Sequence, residues 1–284
     1  MIIDSHCHAW TYWPYDPAVP DPESRGIVEQ LLDEMNVNGV DRAVVVCAEI
    51  EHNPQNNAYI AAQVRRHHPR LYQFADVDSQ WKPTYHRPGA ANRLRQAVEQ
   101  WPISGFTHYL AEDDDAAWLH SEEGLAFFTV AEEHRLIASI ACGPQHQAAI
   151  RRAAERFPSV PFLLHHLALV QADEPPPHPD LREVLASAKL PNIYLKTSGF
   201  YYGSRVKWDF PYSEAGWVVR ALYEAFGPYR MCWGSDYPVV RFFMTYRQAI
   251  ECFRTYCTFV PEADKAWILG RTLAGLLDAA RPVA

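Results

Sequence analysis

The sequence predicts an α/β protein, a distorted parallel (β/α)₈ barrel of the TIM type that takes up residues 1–284 as one domain. Three observations lead there. The chain has 284 residues, the usual size of one such barrel. Eight short apolar runs alternate with longer segments of helical period. Histidines and acidic residues gather where those runs end.

The runs lie near 1–5, 42–48, 71–77, 103–108, 136–141, 160–165, 192–196 and 230–234. Between them apolar residues recur at spacings of three and four, as in Ile27, Leu31, Leu32 and Met35 or Ile150, Ala153, Ala154 and Phe157. That is the period of a helix with one buried face. Gly39, Pro69, Pro158, Pro191 and Gly227-Pro228 punctuate the ends. Eight strand–helix units favour a closed parallel barrel over an open doubly wound sheet. The first run is followed by His6-Cys7-His8, where a doubly wound sheet would carry its glycine-rich phosphate loop.

Composition narrows the partners. Apolar residues make up 48% of the chain, enough for a large core. The net charge is −8 and basic residues are scattered, which argues against nucleic acid. No stretch of 18 uninterrupted apolar residues occurs, so no membrane span is expected. The N-terminus has no basic or apolar leader pattern, and the expected location is the cytoplasm. The six cysteines form no C-x-x-C pair and are expected as free thiols. A small-molecule substrate is the expected partner, with self-association into a homo-oligomer left open.

Two loops stand out. Residues 10–22 are rich in Trp, Tyr and Pro, and residues 171–180 contain Pro175-Pro176-Pro177. Both follow strands, so both belong to the catalytic face of a barrel. Trp10, Tyr12 and Trp13 are expected to wall a pocket, because such side chains are poorly placed in water.

The chemistry starts at Asp4-Ser5-His6-Cys7-His8. Side chains two apart on a strand point the same way, so His6 and His8 face one point at the barrel mouth. Neutral imidazole is the commonest metal ligand. Trp233-Gly234-Ser235-Asp236-Tyr237-Pro238 ends the eighth run. A carboxylate there stands beside the first strand, where it can ligate a metal or take a proton from water. Alternation in Phe162-Leu163-Leu164-His165-His166 predicts that His166 faces the site and His165 the outside; a register shift of one exchanges them. His108 and Tyr109 end the fourth strand, and either is placed to hold a substrate oxygen. Lys196 is costly to bury unpaired, so it is expected to reach the mouth and neutralise a substrate carboxylate or pair with Asp236. Ser198 is a further hydrogen-bonding candidate. Weaker candidates are Glu49, Glu51, Asp76, Asp78, Arg205 and Lys207, all loop charges.

The stretches at 2–10, 103–110, 160–168, 191–199, 226–238 and 268–276 resemble the amidohydrolase-related family, in its lactonase and decarboxylase branch. The resemblance covers most of the chain and implies a barrel with its site at the C-terminal strand ends. It matches His6, His8, His166 and Asp236 to the family's central site, with the aspartate activating water. Metal-rich members also carry a ligand on the fifth strand and a lysine or glutamate on the fourth; here those strands end near Cys142 and His108. The layout is similar to the pyrone dicarboxylate lactonases, which work without metal, and to sugar-acid lactonases. A divalent ion, zinc first, on His6, His8, His166 and Asp236 is therefore one expectation. A metal-free acid–base cluster is the other.

The first functional reading is a hydrolase that opens the lactone of a small organic or sugar acid. Asp236, His166 and His108 are its catalytic candidates, and Lys196, Tyr109, Ser198 and Trp10 its substrate-binding ones. The alternatives are a metal-dependent non-oxidative decarboxylase on the same barrel and an inactive barrel that binds a small ligand.

Overall fold

A computed structural model describes residues 1–281. Its eight strands are β1 (Ile3–Cys7), β2 (Arg42–Val46), β3 (Leu71–Asp76), β4 (Ile103–Tyr109), β5 (Ile137–Ala141), β6 (Phe162–Leu164), β7 (Ile193–Thr197) and β8 (Met231–Trp233). They pair in chain order, parallel throughout, and every predicted run overlaps one of them, with β1, β4 and β7 extending one or two residues further. The barrel closes through one parallel bridge, Cys7 with Tyr237, and through Asp236 N–H donating to the His6 carbonyl at 2.7 Å. That loose seam between β1 and β8 is the distortion.

Helices α1 (Val28–Asn38), α2 (Asn56–His67), α3 (Ala90–Gln100), α4 (Glu122–Glu133), α5 (Gln147–Arg156) and α6 (Pro179–Ser187) alternate with the first six strands. A short α7 (Phe200–Gly203) follows β7, and α8 (Gly216–Phe226), α9 (Tyr246–Arg254), α10 (Glu262–Ala266) and α11 (Thr272–Ala279) complete the chain. Helix α1 buries Val28, Leu31 and Met35; of the predicted stripe Leu31 and Met35 are buried, while Ile27 and Leu32 are half-buried. It stops at Gly39, whose φ of 68° is left-handed backbone that glycine adopts without strain.

Side-chain alternation sorts the strands into two cores. Val44, Val46, Phe74, Ile137, Leu163 and Cys232 fill the barrel interior, with Leu273, Leu276 and Leu277 of α11 packed into the same cluster. Val45, Phe106, Phe162 and Leu164 face the helices instead. In β1 the alternation breaks. Ile3 lies in the inner cluster, yet Cys7, of the same parity, lies in the outer one. The register shifts between Asp4 and Cys7, and this irregularity lets His6 and His8 turn inward together. All six cysteines are free and buried.

Candidate active site

The C-terminal strand ends surround a cavity of about 870 Å³. His8 and His166 lie on its wall beside Asp236, with Trp10, Tyr109 and Tyr202 around them. His6 lies directly behind, fully buried.

Each central side chain is held from outside the cavity. His8 Nδ1 is 2.7 Å from the Val46 carbonyl, which can only accept, so the neutral ring presents the lone pair of Nε2. His6 Nε2 is 3.1 Å from His8 Nε2. Two lone pairs at that distance would repel, so His6 Nε2 must carry the proton it donates to His8 unless a cation lies between them. Lys196 Nζ, 2.8 Å from His6 Nδ1, supports that arrangement by donating to Nδ1. His166 Nδ1 lies 3.0 Å from Ser198 Oγ, which orients its Nε2.

Asp236 sits opposite. Its Oδ1 is 3.5 Å from His6 Nε2, 3.6 Å from His8 Nε2 and 3.8 Å from His166 Nε2. Its Oδ2 accepts from Tyr201 Oη at 2.5 Å and Tyr202 Oη at 2.9 Å. Burial pushes this carboxyl up, but the neighbouring His166 and His8 imidazoles and the Tyr201 hydroxyl outweigh it and hold it below the usual carboxylate range. Burial pushes His166 down to about 4, against the pull of Asp236. It also keeps His6 and His165 well below the ordinary histidine value, with Lys196 adding to the effect. The backbone is unusual where these groups converge, with φ of 60° at Asp236 and 46° at His166. Non-glycine residues in this left-handed region are a strain that site geometry commonly holds in place.

Several sequence expectations need correction. Leu163 faces the interior, so His165, not His166, continues the inward parity of β6. His165 borders the cavity, with its ring centroid 4.5 Å from that of His6. His166 reaches the same place because residues 166–169 form a left-handed turn. His108 points away from the cavity into the helix layer, where it stacks on Trp118 and its Nδ1 meets the Val77 carbonyl at 3.1 Å. Tyr109, one residue on, is the cavity residue of that pair. Lys196 does not reach the mouth. It is fully buried beneath His6, with Nζ donating to Ser139 Oγ at 2.7 Å. Ser198 supports His166 and does not border the cavity. Arg205 is paired with Glu214, and Lys207 donates to the carbonyls of Tyr201 and Tyr202; neither borders the cavity. Asp76 accepts from Trp81 Nε1 and Glu49 N–H, Asp78 pairs with Arg93, and Glu49 pairs with Lys82.

Trp10 behaves as the aromatic loop predicts. It stacks on His8 with centroids 5.1 Å apart and donates from Nε1 to the Ala48 carbonyl. Gln171 and Asp180, at the ends of the Pro-rich loop, stand at the cavity mouth. Sequence reasoning missed Tyr201 and Tyr202. The aromatic run after β7 was their only sign, and the turn at Gly199, with φ of 64°, delivers them. A Cβ on Gly199 would lie 2.9 Å from His166 Nδ1, so the backbone must pass bare at this point.

The fold and this constellation define a barrel hydrolase. The amidohydrolase family model matches residues 3–276, and the chain belongs to that family. It is 25% identical over 249 residues to L-fucono-1,5-lactonase of Burkholderia ambifaria, covering 84% of this chain and 81% of the relative. An amidohydrolase of Burkholderia multivorans with bound zinc superposes with a TM-score of 0.79 at 17% identity, over 98% of this chain and 99% of that one. A probable 2-pyrone-4,6-dicarboxylic acid hydrolase of Acinetobacter baumannii with citric acid bound gives 0.77 at 19% identity, over 98% and 99%. The 2,6-dihydroxybenzoate decarboxylase of Rhizobium gives 0.69 at 13%, over 98% of each. At these identities the solved structures establish a shared fold. No helix among the described residues is long and apolar enough to cross a membrane.

Proposed function

We propose that this hydrolase opens the lactone ring of a neutral sugar acid. One observation carries the choice of substrate: among the described residues no lysine or arginine borders the cavity, whereas Asp236, Glu112 and Asp180 do. A substrate with free carboxylates would find no fixed positive side chain there. Hydroxyl groups would find Gln80, Gln145 and Gln171, and a sugar ring would find aromatic faces such as Trp10 and Trp81. The likeness to an L-fucono-1,5-lactonase supports this reading. The sequence-based idea that Lys196 or His108 grips a substrate carboxylate is given up, since neither borders the cavity. A decarboxylase, whose substrate must carry a carboxylate, fits this wall less well.

Asp236 Oδ1 is the base. It accepts a proton from water as the water oxygen bonds to the lactone carbonyl carbon. The ring C–O bond then breaks, and the ring oxygen takes the proton from Asp236, leaving a hydroxy acid. Tyr201 and Tyr202 keep the carboxylate oriented through Oδ2. Trp10 and Tyr202 help confine the reacting centre.

The donor set also fits a divalent metal. Ligands at about 2.0–2.1 Å from a tetrahedral ion lie roughly 3.4 Å apart. His6 Nε2, His8 Nε2 and Asp236 Oδ1 are separated by 3.1–3.6 Å, and His166 Nε2 stands 3.8 Å from Asp236 Oδ1. His6, His8 and Asp236 would hold the ion, with His166 standing beside Asp236; zinc is the first expectation. Such an ion polarises a carbonyl and makes water more acidic.

The test is hydrolysis of a matched panel of neutral aldonolactones and carboxylate-bearing lactones, followed by acid release. The expected result is a kcat/KM at least about tenfold higher for the neutral members. A preference for carboxylate-bearing lactones, or no ring opening at all, would overturn the proposal.

A further inference from the structure

We infer that Tyr15 is a further catalytic residue, whose hydroxyl, together with that of Tyr109, donates a hydrogen bond to the lactone carbonyl oxygen. The inference rests on the lactone-opening reading. Tyr15, from the aromatic loop after β1, and Tyr109, at the end of β4, both border the cavity and are half-buried. The lining holds no serine or threonine among the described residues, and its third tyrosine, Tyr202, already donates to Asp236. The hydroxyls of Tyr15 and Tyr109 have no partner in the protein, and each retains accessible surface, unlike the enclosed hydroxyl of Tyr237. Their rings are held. Tyr15 stands edge-on to Trp10 and Trp13, with centroids 5.3 and 5.4 Å away, and to Phe242 at 5.8 Å. Trp10 in turn stacks on His8, so one ring separates Tyr15 from the central histidines. Tyr109 packs on Trp81 at 4.6 Å and edge-on to His165 at 5.1 Å.

Both hydroxyls keep their protons. Burial first, and the Asp236 carboxylate next, push Tyr15 and Tyr109 well above the ordinary tyrosine value, and Tyr15 adds to the shift at Tyr109. Such coupling needs proximity, so the two donors share the space that Asp236 faces. Water held on Asp236 Oδ1 attacks the carbonyl carbon, and the carbonyl oxygen turns away from the negative carboxylate toward hydrogen-bond donors. As the water oxygen bonds to that carbon, the electron pair of the C=O bond moves onto oxygen. The two O–H groups stabilise the charge without transferring their protons. When the ring C–O bond breaks, the carbonyl re-forms. The donors are preorganised, because aromatic neighbours hold both rings before substrate arrives.

Phenylalanine removes each oxygen and keeps the ring contacts. Tyr15→Phe and Tyr109→Phe are each expected to lower kcat about 10²-fold with KM changed less than about threefold. A tyrosine that grips a sugar hydroxyl instead would raise KM and leave kcat as it was, and that outcome overturns the inference. Two donors on one oxygen are coupled, so the double variant should lose about 10³-fold, against roughly 10⁴-fold for independent losses. Fully multiplicative losses overturn the shared acceptor. A thionolactone places sulfur, a poor acceptor, where the carbonyl oxygen stands. Each variant should therefore discriminate less than wild type between a lactone and its thiono analogue. A merely structural tyrosine lowers both rates alike and leaves that ratio unchanged. Circular dichroism checks the fold, and the thiono ratio of either single variant decides the case if the other misfolds. Wild-type activity on lactones with an equally active Tyr15→Phe sinks this role alone. A wild type that opens no lactone sinks the lactone reading itself, and this role with it.

Discussion

The Tyr201 hydroxyl donates to Asp236 Oδ2 at 2.5 Å, and Tyr202 donates to the same oxygen, so Oδ1 alone is left facing His6, His8 and His166. In the proposed mechanism this leaves Oδ1 as the oxygen that takes the proton from water. Asp236→Asn is expected to lower kcat about 10²–10⁴-fold, the usual range for a lost base. Tyr201→Phe leaves the base in place but less well aimed, and a fall of up to about 10²-fold is expected. Steady-state kinetics beside circular dichroism measures both, and full activity in Asp236→Asn would exclude it as the base.

Metal content is checked by elemental analysis of unchelated protein. The expected result is about one divalent ion per chain, with activity lost on chelation and restored by metal. Binding should release a proton, because His6 Nε2 must give up the hydrogen it shares with His8. Proton release on titration with zinc, read in weak buffer, tests this directly. Full activity after chelation would leave His6, His8, His166 and Asp236 as a metal-free cluster.

Lys196 should make stability depend on pH. Burial pushes its amine down to about 7, from an ordinary value of 10.5. Between those values the unfolded chain holds a proton that the folded chain has released, so stability rises with pH from about 7 to about 10.5. The slope contributed is at most about 1.4 kcal/mol per pH unit. In metal-free protein, Lys196→Met should abolish this rise. An unchanged pH profile of denaturant midpoints in that variant would contradict it.

Outside the cavity, His108→Phe should preserve packing against Trp118 while leaving the Val77 carbonyl without its donor. A loss of about 1–3 kcal/mol in unfolding free energy is expected, with kcat and KM unchanged. A tenfold fall in kcat in folded protein would return His108 to the site.

The pair His6 and His8 was readable because period-two alternation needs only the sequence, and Asp236 because β8 must close beside β1. Alternation misled at β6. A left-handed turn at residues 166–169 carries His166 round to the site as well, so both histidines arrive where parity allows one. Nothing in His165-His166-Leu167-Ala168-Leu169 marks that turn, since no glycine stands in it. At β4 the two neighbours His108 and Tyr109 were equivalent in sequence, and only the inward face of the strand separates them.

What the sequence determined by itself was the element order, the barrel and the strand-end residues, because apolar period and chain length are local or additive properties. The depth of a side chain is neither. Lys196 could be read as a mouth residue until the barrel placed Ser139 and His6 around its amine. Tyr201 and Tyr202 came to Asp236 through a turn after β7 and a residue 34 or 35 positions later. Such contacts join segments distant in sequence, and hydrogen-bond direction depends on atoms only tertiary packing brings within about 3 Å.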